Sequence, residues 1–170
     1  MTTQRSRIDA APTHEPRSPP TFRERVQALA GKSTFREPSG PGSTDARRAI
    51  PADHMVAAAL SFGRRNADDI GPDIAFDMAT GRMGHHIRVC SALGSALGRD
   101  RSVLVRRNRP YIAVVAYAGY LEAIGMRAPV KPEGMRDDDW EALVGAAVLI
   151  LERLAEDAVA LAGRRARRAA

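Results

Sequence analysis

Five arginines fall within eleven residues, at Arg99, Arg101, Arg106, Arg107 and Arg109. A guanidinium is a rigid fork of donors that makes paired, charge-assisted bonds to phosphate oxygens, so such a cluster suits the backbone of a nucleic acid. A second cluster, Arg164, Arg165, Arg167 and Arg168, lies near the other end of the last helical pattern, and Arg5, Arg7, Arg17, Arg23 and Arg25 punctuate the N-terminal segment. Each cluster has a plainer reading. The first can be a solvated rim, or can neutralise the acids at Asp68–Asp77 and Asp137–Asp157. The second follows a helix C-terminus, where cations are favoured by the dipole.

Other reactive side chains form weaker patterns. His86 and Cys90 are one helical turn apart beside His85, but a zinc site needs about four ligands, and His54, Asp73 and Asp77 show no matching spacing. Cys90 then reads as a small buried hydrophobe. The acids Asp68 with Asp69, and Asp137 to Asp139, stand where helices begin, which favours capping over acid–base chemistry. The stretch GRMGHH has two glycines but neither the lysine nor the preceding strand of a phosphate-cradling loop. These patterns give no catalytic residue, metal ligand or cofactor site, and the expectation is a non-enzymatic protein.

Two small DNA-reading motifs can be laid on the same region. A helix-turn-helix over Cys90–Arg109 puts Gly98 at the turn, yet places Arg99 and Arg107 where apolar packing is wanted. A ribbon-helix-helix needs Ser102–Arg107 as a strand, followed by an unusually apolar helix and a long connection. Neither match is complete.

The elements that must position these residues follow from composition. The chain has 170 residues, 44% of them hydrophobic but only 5% aromatic, so its core must be built mainly from Ala, Val, Leu, Ile and Met. Its net charge is +6 and its pI about 10.4. That charge alternates along the chain: +4 over residues 1–48, −3 over 49–80, +7 over 81–136, −6 over 137–163 and +4 over the last seven. A basic excess favours an acidic partner, either nucleic acid or an acidic protein surface. With Cys90 as the single cysteine no internal disulfide is possible, and with no apolar leader at the start the expected location is the cytoplasm. The uncharged runs Pro110–Leu121 and Ala142–Leu151 fall short of the roughly 20 apolar residues of a membrane span.

Residues 1–48 carry six of the eleven prolines and few large apolar groups, which predicts a disordered arm. Within it Phe22, Val26 and Leu29 predict a short helix over 21–32. An all-α domain of about five main helices is expected over 49–163. Pro51 starts the first, and Asp68–Thr80 and His85–Leu97 form the next two. After Gly98 the alternating Val103 and Val105 suggest an extended linker. Asn108 then caps a central helix over Tyr111–Met126, apolar all round with Glu122 as its one charge. The acidic triplet begins a last helix that Gly163 closes, leaving 164–170 as a basic tail.

The function this organisation suggests is that of an accessory or regulatory protein that binds nucleic acid through backbone phosphates. Its small-residue helix faces would support a homo-oligomer. A structural or adaptor module that binds another protein through the helical domain and N-terminal arm is the alternative.

Overall fold

The last helical pattern is the longest, and its periodicity sets the architecture. In the computed structural model, which describes residues 20–32 and 52–169, Leu143, Val144, Ala147, Leu151, Ala155, Ala158 and Ala162 are all buried on one face of a helix spanning Asp137–Ala169. That spacing is the 3.6-residue repeat of an amphipathic helix. The other elements pack along this face.

The chain forms seven α-helices and one 3-10 turn among the described residues, with no strand. They are α1 (Phe22–Lys32), α2 (Ala52–Ser61), α3 (Gly71–Thr80), α4 (His86–Arg99), α5 (Val103–Arg107), α6 (Ile112–Ala123) and α7 (Asp137–Ala169). The all-α class holds, with more helices than about five because α1 and the five-residue α5 add to the main ones. Pro51 and most of the 1–48 arm lie outside the described residues.

Small residues set how closely the helices approach. At Gly119 of α6, an added Cβ would lie 2.5 Å from the Ala147 Cβ of α7, so only glycine permits this crossing. Gly94 of α4 faces Ala116 of α6, and Gly71 faces the Leu154 carbonyl of α7. Contacts further along fix direction: α1 runs parallel to α7, pairing Arg25 with Glu156 and setting Leu29 near Gly163. Val26 of α1 is fully buried, which makes α1 part of the core.

Several local expectations are corrected. Val103–Arg107 is helical because the Ser102 hydroxyl accepts the Val105 amide as an N-cap, a local signal that outweighs the β-branched alternation. Asn108 does not cap the next helix with its side chain; the chain turns through Arg109–Tyr111 as a 3-10 turn with Pro110 near its start. Helix α6 ends at Ala123, where Gly125 adopts a φ of 78°. Its Ala113, Val114 and Tyr117 are exposed, so it is not buried all round. Gly163 does not stop α7, which continues to Ala169, so Arg164–Arg168 are helical.

Candidate nucleic-acid interface

Arg99, Arg101, Arg106 and Arg109 are all exposed, at the end of α4, in the connection, on α5 and in the 3-10 turn. None forms an ion pair with the described residues; Arg99 Nε donates to the Ser95 carbonyl at 3.1 Å. The segment that carries them is tightly held. Asp100 Oδ1 accepts the Ser102 amide at 2.8 Å, Ser102 caps α5, and Val105 is buried.

Arg107 has a different role. Its Nε donates to Asp139 Oδ2 at 2.9 Å and its Nη2 bonds Asp139 Oδ1, a bidentate pair that ties α5 to the first turn of α7. Asn108 joins the same carboxylate at 2.9 Å, and also donates to the Leu104 carbonyl at 2.9 Å. The Asn108 hydrogen bond, with the Arg107 guanidinium, holds Asp139 below the usual carboxylate range. The acidic triplet therefore engages cations beside its own helix: Lys131 sits 3.3 Å from Asp137, and Arg136 3.8 Å from Asp138.

The second cluster is also divided. Arg165 donates to the carbonyls of Phe62 and Arg64 at 3.1 and 3.0 Å, satisfying backbone acceptors just beyond the end of α2. Arg164, Arg167 and Arg168 are exposed without an ion pair to the described residues. At 1.5 Å per residue, the helix from Asp139 to Arg165 sets the points that anchor the two clusters about 39 Å apart along α7. They form two surfaces, not one patch.

A buried polar network lies elsewhere, on residues that no sequence motif brings together. Asp77 is fully buried in α3; its Oδ2 accepts the Tyr120 hydroxyl at 2.8 Å and the His85 amide at 3.0 Å. Its Oδ1 lies 3.0 Å from His85 Nδ1. Burial and this carboxylate push the Tyr120 phenol well up, keeping it a donor. One turn earlier, the Asp73 carboxylate lies between Arg64 and Arg88, with Arg88 Nη1 at 2.7 Å. The available signal was periodicity: Asp73 and Asp77 share the face of Ile70 and Ile74.

His85 and His86 line a surface cleft of about 570 Å³ with Asp68, Arg88 and Ser91. His86 Nδ1 lies 3.0 Å from the Met83 carbonyl. No group of three or more His, Cys, Asp or Glu side chains among the described residues is arranged to hold a metal ion. The half-buried Cys90 thiol is pushed up to about 11 by burial, which leaves little thiolate at neutral pH. No helix among the described residues is long and apolar enough to cross a membrane.

No family model, curated protein or solved structure matches the chain.

Proposed function

We propose that the protein binds nucleic acid, with DNA as the first expectation, through backbone phosphates at Arg99, Arg101, Arg106 and Arg109. The observation that carries this reading is the contrast among its arginines. Arg64, Arg82, Arg88 and Arg107 each face a carboxylate, whereas these four present exposed guanidiniums within eleven residues of a braced segment. Bracing lowers the entropy lost when the segment engages a ligand. Arg107 positions the segment through Asp139 and is not counted among the phosphate contacts; Arg164, Arg167 and Arg168 offer a second, separate contact surface.

Binding of this kind is salt-dependent, with log K falling by about 0.9 per phosphate neutralised for each decade of salt on duplex DNA. The test is fluorescence anisotropy of the full chain with a labelled duplex across a salt series. Replacing Arg99, Arg101, Arg106 and Arg109 together by Ala reduces the slope by about 3 to 4 if each contacts one phosphate. Absence of binding at low salt, or an unchanged slope in the quadruple variant, rejects the assignment.

A further inference from the structure

The outward face of α7 has no partner among the described residues. Asp138, Ala142, Gly145, Leu149 and Arg153 recur at helical spacing on the side away from the core, and all five are exposed. Leu149 is 67% exposed and Ile150 beside it 37%, in the uncharged run Ala142–Leu151. Beside Leu149 a groove of about 660 Å³ opens between Phe22 of α1, Met78 of α3 and the charged Glu152, Arg153, Glu156 and Asp157 of α7.

We infer that this face receives a second copy of the same chain, with the two α7 helices antiparallel about a two-fold axis between Gly145 and Ala146. The order of side chains about that point is self-complementary. Residues equidistant from it are Gly145 and Ala146, Ala142 and Leu149, and Asp138 and Arg153. A two-fold contact therefore sets the large Leu149 over the small Ala142 of the other copy, and opposes Asp138 with Arg153 of opposite charge. The side chains of Asp138 and Arg136 are 88% and 65% exposed and 3.8 Å apart, so both are free to turn to another partner.

The helix stretch from Asp138 to Arg153 is about 22 Å long. That footprint is at the small end of specific interfaces, so the dimer is weak and concentration-dependent. Self-association through this face needs no nucleic acid and is measured in its absence.

Sedimentation velocity on the full chain from about 1 µM to 1 mM, the range in which such interfaces dissociate, shows the mass rising from 18.4 kDa toward twice that value. Leu149→Asp and Gly145→Gln each weaken self-association at least about tenfold. Neither disturbs the protomer: Leu149 is exposed, and a Cβ at Gly145 meets nothing within 4 Å. Asp138→Arg alone also weakens association, and adding Arg153→Asp restores it. A monomer at every concentration overturns the inference. So does a dimer unaffected by both face substitutions, or failure of the double charge exchange to restore association.

Discussion

Arginines close together in sequence diverge in role because only some have a carboxylate within reach. Arg106 and Arg107 are adjacent, yet Arg107 grips Asp139 while Arg106 is exposed with no ion pair to the described residues. Asp139 consequently contributes stability as a carboxylate. With its pKa lowered by Asn108 and Arg107, that contribution is complete above the ordinary carboxylate range of about 4 and is lost as pH falls through the lower folded value. Urea unfolding midpoints measured below about pH 4 should fall for the native chain. Asp139→Asn should start from a lower midpoint at neutral pH and show a shallower acid decline. Removal of the Tyr120 hydroxyl deprives buried Asp77 of one donor while the His85 bonds remain. Tyr120→Phe should therefore cost about 1 to 3 kcal/mol in urea unfolding.

At the scale of elements, hydrophobic period was legible and partnership was not. The stripe Leu143, Ala147, Leu151, Ala158 announced α7, and Phe22, Val26, Leu29 announced α1, because burial of one face leaves a direct trace in sequence. Gly163 does not end α7 because its cost as a helix residue is about 1 kcal/mol, small beside the packing of α7 and the Arg165 bonds to the segment after α2. The braced rim depends on pairs separated by about thirty residues, Arg107 and Asn108 with Asp139, which no local pattern encodes. Glycines make the same distinction testable. Gly98→Ala has open space and should raise helix stability by up to about 1 kcal/mol. Gly119→Ala drives its Cβ into Ala147 and should lower the unfolding midpoint instead, despite the same gain in helix propensity.

For the whole molecule, the governing distance is the length of α7. Asp139 anchors the first arginine segment at one end, and Arg165 fixes the second cluster beside the end of α2 at the other. Their separation of about 39 Å corresponds to roughly 11 to 12 base pairs of duplex at 3.4 Å each. A duplex of about 8 base pairs cannot bridge the two clusters, and binding to it must rest on one of them. The proposal that Arg99, Arg101, Arg106 and Arg109 form the principal contact then makes an ordered prediction. Their substitution should flatten the salt dependence on both short and long duplexes. Substitution of Arg164, Arg167 and Arg168 should leave the short-duplex slope nearly unchanged and affect only duplexes longer than about 12 base pairs. Anisotropy titrations at two duplex lengths check both statements. The reverse pattern, with the short-duplex slope governed by Arg164, Arg167 and Arg168, would move the principal contact to the C-terminal end of α7.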